Sequence, residues 1–167
     1  MHFTLRPWKQ EDLQTLVRIA NNPLIAKNLT DKFPHPYTEA DGKSFLEMAL
    51  AGKPVNIFCI DINNAAAGGI GLHPMTDVHR KNAEMGYWLA EEYWGHGIIP
   101  KAITQMVEYG FKNFEIDRIF ARPYGSNLAS QKVLEKAGFK LEARLEKTLF
   151  KNGVYEDEVI YSVRRKP

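Results

Sequence analysis

Gly95-His96-Gly97 lies between a strand-like apolar run and a helix-like one, a setting in which backbone itself can bind a ligand. A chain that turns there and enters a helix presents N–H groups with no intrahelical partner. Together with the helix dipole, those donors favour an anion. Glycine carries no Cβ, so a phosphate can approach the main chain closely. Pro100 suits the first turn of such a helix, where its missing N–H is not needed. Lys101 near a helix N-terminus is unfavourable by about 0.3–1 kcal/mol unless an anion reverses the sign; without one it reads as a solvated surface lysine. His96 either bonds that anion or points to solvent. "GHGIIP" approaches the dinucleotide fingerprint G-x-G-x-x-G, but proline stands where the third glycine would permit close helix–strand packing. A nicotinamide cofactor is therefore the weaker reading.

The other reactive side chains are sparse. Cys59 sits within "VNIFCIDI", where a lone cysteine reads as a small buried hydrophobe and nothing nearby would lower its pKa. With a single cysteine no intrachain disulfide forms, which suits a reducing compartment. His73 and His79 lack metal-ligand spacing, so no metal is expected. Tyr87, Trp88, Tyr93 and Trp94 have no interleaved basic residues and read as core and cleft wall rather than a base-stacking platform. The formal charge is +2 over 167 residues, too slight a basic excess for a dedicated nucleic-acid binder. No apolar stretch approaches the length of a membrane span, and "MHFTLRPWKQED" has no apolar signal core, so a cytoplasmic protein is expected.

The elements that must position these residues follow from periodicity and breakers. "FTLRPW" alternates as a strand. Leu13, Leu16, Val17 and Ala20 mark one helical face that Asn22-Pro23 ends. Thr38 is an N-cap candidate for a second helix, and Gly52 its stop. "VNIFCIDI", "AAAGGIGLHPM" and "NAEMGYWLA" read as three strands. A long helix is expected from about Ile98 to Phe114, then a strand at "DRIFARP". A short helix over "NLASQKVLEKAGF" has Asn127 as cap and Gly138 as stop. Asn152-Gly153 joins two alternating runs as a hairpin. A single α/β domain over residues 1–167 with a mixed sheet is expected.

Several of these segments line up with one family. "AEMGYWLAEEYWGHGI" resembles the fourth strand and pyrophosphate loop of GNAT-superfamily N-acetyltransferases, and "NLASQKVLEKAGF" resembles their Asn-x-x-Ser helix. "NGVYEDEVIYSV", "FTLRPWKQEDLQTLVRIANNP" and "PYTEADGKSFL" are similar to the branch containing the ribosomal-protein N-terminal acetyltransferases. The resemblance implies a mixed, mostly antiparallel sheet of about seven strands, about four helices, and splayed strands four and five that admit acetyl-CoA. It implies that backbone of Trp88, Leu89 and Ala90 pairs with the pantetheine. The pyrophosphate would then sit on Trp94, Gly95, His96, Gly97 and Ile98. This chain departs from the family with Glu92 where Arg or Gln often opens the loop. It has Pro100-Lys101 where Thr-Glu often starts the helix.

Acyl transfer to an amine needs a neutral amine, a polarised thioester, close placement and a stabilised thiolate. Glu84 is the candidate proton acceptor, directly or through water, or else an ordinary outward strand residue. A backbone N–H near Leu89 is the candidate donor to the thioester carbonyl. Many GNAT enzymes place a Tyr further along the Asn-x-x-Ser helix; here Val133-Leu134-Glu135 supplies none, and the branch suggests Ser130 for the thiolate. Asn127 would cap its helix and touch the pantetheine. Lys132 and Lys136 either reach the 3′-phosphate or form a solvated face. The expected activity is acetyl-CoA-dependent N-acetylation of a primary amine, on a protein N-terminus or a small molecule. No metal, nucleic acid or membrane partner is expected, and a monomer or homodimer is the expected state. The alternative is a non-catalytic acyl-CoA-binding module on the same fold.

Overall fold

A computed structural model describes all residues from Met1 to Pro167. Strand β1 (Thr4–Pro7) leads into helix α1 (Leu13–Ala20), the one-turn α2 (Pro23–Ala26) and α3 (Glu39–Ala51). Strands β2 (Ile57–Ile62), β3 (Ala65–Pro74) and β4 (Asn82–Leu89) follow, then α4 (Ile98–Asn113), β5 (Arg118–Ala121) and α5 (Leu128–Lys136). The hairpin β6 (Lys140–Lys151) and β7 (Val154–Arg164) closes the chain. The hydrogen-bonded order is β1-β2-β3-β4-β5-β7-β6, a seven-stranded, mostly antiparallel sheet in which β4 and β5 run parallel. Pairing of β4 with β5 covers Asn82 to Glu84 against Arg118 to Phe120, while β4 runs on to Leu89. No helix is long and apolar enough to cross a membrane.

The residues group into two compact units. The first holds Met1–Gly71 and Tyr87–Ala102, the second Leu72–Gly86 and Ile103–Pro167. In the first, Trp8, Leu16, Ala20, Tyr37, Leu46, Ala49, Ile57, Cys59 and Ala66 form a buried apolar cluster. Burial pushes the Cys59 thiol up to about 12, which fits a packing residue and not a nucleophile. Helices α1 and α3 meet at Gly42, where a Cβ would lie 2.9 Å from both Leu13 Cδ1 and Val17 Cγ2. In the second unit, Leu72, Ala83, Met85, Ile103, Met106 and Ile119 are buried on alternating strand positions and one helix face.

Two expected helix ends hold, each with a detail the sequence did not give. Asn22-Pro23 ends α1 but also starts α2: the Asn22 side-chain oxygen accepts the Leu24 N–H at 2.8 Å, and Pro23 takes the first helical position. Gly52 ends α3 as expected, with φ −67°, so the stop uses no left-handed residue; a Cβ there would lie 1.9 Å from Asn56 Oδ1, the end of a side chain. Thr38 does cap α3, and Asp41 completes a capping box by accepting the Thr38 N–H at 2.8 Å.

Candidate active site

The glycine turn belongs to the first unit. Strand β4 ends at Leu89, earlier than the turn, and a single 3₁₀ turn over Glu91–Tyr93 intervenes. Three hydrogen bonds shape this passage. The Ala90 N–H donates to the Ala67 carbonyl at 2.8 Å. The Trp94 indole N–H donates to the Leu89 carbonyl at 2.7 Å, and the Asn22 side-chain amide donates to Glu91 Oε2 at 2.7 Å. Strand β3 admits Trp88 through two glycines. A Cβ on Gly68 would lie 2.4 Å from the Trp88 carbonyl oxygen, and one on Gly69 would lie 2.9 Å from its indole nitrogen.

Gly95 and Gly97 take φ +78° and +70°, the left-handed region that L side chains rarely occupy. A Cβ built on either meets no protein atom within 4 Å. The backbone here is therefore held in a conformation that needs glycine, and it faces open space. Ile98, buried at the start of α4, anchors the helix behind the turn. His96 is exposed, with Nδ1 3.2 Å from the Tyr93 carbonyl, and Lys101 is exposed in the first turn of α4.

The backbone groups expected to meet pantetheine are thus unequal. The Ala90 N–H and the Leu89 carbonyl are already engaged within the unit. Successive N–H groups of an extended chain point to opposite sides, so the Leu89 N–H is directed away from β3.

Glu84, Asn127 and Ser130 belong to the second unit. Glu84 lies on β4 and is half-buried, and both of its oxygens are held by Arg122: Nε to Oε1 at 2.9 Å and Nη2 to Oε2 at 3.0 Å. Arg122 follows β5, and its guanidinium also stands 3.8 Å from Glu158. The Glu84 bonds and charge raise the Arg122 pKa against the opposing effect of burial. Asn127 caps α5, its side-chain oxygen accepting the Ser130 N–H at 3.2 Å, so the cap reading holds. Ser130 is half-buried in the first turn, while Lys132 and Lys136 are exposed. Gln131 secures the segment before the cap by donating to the carbonyls of Tyr124 at 3.2 Å and Gly125 at 3.1 Å.

The sequence did not reveal Arg122 as the partner of Glu84, nor the indole bond of Trp94. The first needs the parallel register that sets Glu84 opposite Phe120. The second needs the 3₁₀ turn that brings residue 94 back over Leu89.

Residues 2–140 match the family model described as "Acetyltransferase (GNAT) domain". The chain is 36% identical over 96 residues to the uncharacterized N-acetyltransferase YoaA of Bacillus subtilis; the match covers 58% of the chain and 54% of YoaA, so the chain spans about half the length of that relative. Among solved structures, the RimL ribosomal L7/L12 alpha-N-protein acetyltransferase in complex with coenzyme A superposes with a TM-score of 0.86 at 20% identity, covering 97% of this chain and 93% of that one. The microcin C7 self-immunity acetyltransferase MccE, in complex with acetyl-CoA and AMP, gives 0.83 at 26% identity, covering 98% and 92%.

Proposed function

Since the chain belongs to the GNAT acetyltransferase family, we propose that it moves an acetyl group from acetyl-CoA directly to a primary amine. The observation that carries this reading is the turn at Gly95 and Gly97: two left-handed glycines open to space at the start of a sixteen-residue helix. Such a turn suits a diphosphate, because free amides and the helix dipole both favour negative charge. The MccE structure, which holds acetyl-CoA, supports the choice of ligand. In this reading Gly95 to Ile98 receive the pyrophosphate, whereas the Trp94 N–H, also expected there, already donates to the Glu91 carbonyl at 3.0 Å; Pro100 only removes a donor from the first turn.

The chemistry divides among few groups. The Leu89 N–H polarises the thioester carbonyl. Asn127 and Ser130 serve the pantetheine and the departing thiolate, the Ser130 hydroxyl donating to sulfur. A thiol's pKa is about 8.5, so a hydrogen bond suffices to stabilise the leaving group near neutrality. The acceptor amine needs a proton removed, and Glu84 contributes its negative charge to that step. The acceptor class is a protein N-terminus or small primary amine; RimL, as an alpha-N-protein acetyltransferase, supports the former. An α-amine, with a pKa near 8, needs less help than a lysine amine near 10.4.

A thermal-shift titration tests the ligand. Acetyl-CoA at about 100 times its Kd adds about 2.7 kcal/mol to stability, roughly 5–10 °C for a chain of this size, while NADH gives none. Equal shifts with both ligands, or no shift with acetyl-CoA, would remove the diphosphate from the turn. Binding without any amine acetylation would instead leave a non-catalytic acyl-CoA module.

A further inference from the structure

His73 lies in the second unit on β3, the strand next to the β4 segment that carries Glu84. The Met75 N–H donates to the Asn82 carbonyl at 2.9 Å. Neighbouring strands β3 and β4, joined by the short connection between Pro74 and Asn82, are thereby fixed in register. Counting inward from Met75 and Asn82 sets Leu72 across from Met85 and His73 across from Glu84. The burial agrees: Leu72 and Met85 are buried on one face, and His73 and Glu84 lie on the other, open to solvent to different degrees. Directly opposed residues hold their Cβ atoms about 4.5–5.5 Å apart, so the imidazole and the carboxylate are neighbours.

We propose that His73 is a further proton acceptor in this reaction, standing across the β3–β4 ladder from Glu84 while Arg122 occupies both oxygens of that carboxylate. The inference rests on the acetyl-transfer reading above. A carboxylate gripped at 2.9 Å and 3.0 Å by one guanidinium offers its charge more readily than a lone pair. An imidazole beside it has a free nitrogen and a negative neighbour to stabilise its protonated form. Desolvation holds His73 below the usual histidine range, with the Glu84 charge opposing, so the ring stands neutral with a lone pair for a proton. The charged groups facing it are Glu84 from β4 and, beyond that carboxylate, Arg122 and Glu158.

The step balances. The acceptor ammonium gives one proton, through a water, to His73. The neutral amine nitrogen then forms a bond to the thioester carbonyl carbon, and the C–S bond breaks. The second amine proton passes to the thiolate, giving the amide and CoA thiol. The imidazolium returns its proton to solvent.

The test uses the full chain with His73→Gln and Glu84→Gln. CoA release is followed from pH 6 to 9 with acetyl-CoA and a peptide bearing a free N-terminal serine. Acetyl-CoA binding is measured calorimetrically, and His73 is titrated by NMR. His73→Gln should lower kcat by about 10²–10⁴-fold, move the acid limb of the pH profile up toward the pKa of the amine itself, and leave acetyl-CoA affinity unchanged. Added imidazole should restore part of the rate. Glu84→Gln should move the His73 titration to lower pH. A His73→Gln enzyme with the wild-type rate and acid limb would overturn the inference, as would a His73 titration indifferent to Glu84→Gln. Loss of acetyl-CoA binding by the wild type would remove the functional reading and this inference with it. Binding with an unaltered rate in His73→Gln removes the inference alone.

Discussion

Gly97→Ala separates the fold's need for glycine from the ligand's. Gly97 has φ +70° and Gly153, in the β6–β7 turn, has φ +77°; neither has a protein atom within 4 Å of an added Cβ. The two substitutions therefore carry the same backbone cost, about 1–2 kcal/mol for an L residue in the left-handed region, and no steric cost. For a chain of this size each should lower Tm by roughly 2–8 °C. Only Gly97→Ala projects a methyl into the space beside the turn amides. If one charge-assisted hydrogen bond to phosphate is lost, at about 1.5–3 kcal/mol, acetyl-CoA should bind about 10–150-fold more weakly. Calorimetric titration of both variants reads this directly. Equal affinities for acetyl-CoA in Gly97→Ala, Gly153→Ala and the wild type would refute the reasoning. The turn would then be a structural feature with no ligand on its amides.

Other expectations follow from the second unit. Ser130→Ala should slow CoA release by about 10²-fold, if its hydroxyl stabilises the thiolate, with acetyl-CoA affinity changed little; stopped-flow thiol detection checks it. Asn127→Ala should cost about 1 kcal/mol of stability by chemical denaturation, since its oxygen caps α5 through the Ser130 N–H. Glu142 is held at about 2 by hydrogen bonds from Arg118 and then Ser162. Its folded pKa is depressed, so its stabilisation is complete above the ordinary carboxylate value and is lost as pH falls through that value toward about 2. Solvent screening at this half-exposed pair limits the effect to about 1 kcal/mol, and Arg118→Gln should flatten denaturation midpoints between pH 5 and 2 by that amount.

Local chemistry made much of the molecule legible. Asn152 and Gly153 take φ +52° and +77°, the conformation that an Asn-Gly pair favours, and the hairpin followed from that pair alone. The start of α4 at Ile98 and the cap at Asn127 were readable for similar reasons, because glycine, proline and asparagine act on their immediate neighbours. Asn22-Pro23 was ambiguous, since the same pair ends one helix and begins another. The surroundings of Glu84 were not readable. Arg122 lies 38 positions away and reaches it only through the parallel pairing of β4 and β5. His73 invited a metal question in the sequence, and it took the Met75–Asn82 bond to set it across from a carboxylate.

The most direct test of the account is transfer of labelled acetyl from acetyl-CoA to amines. The panel contains a serine-initiated peptide, its N-terminally blocked counterpart and a polyamine, with products read by mass spectrometry. The account predicts an acetylated amine, one CoA thiol released per product, and product formed about 10²-fold more slowly by Ser130→Ala. Tight acetyl-CoA binding with no acetylated amine from any member of the panel would contradict the enzymatic claim.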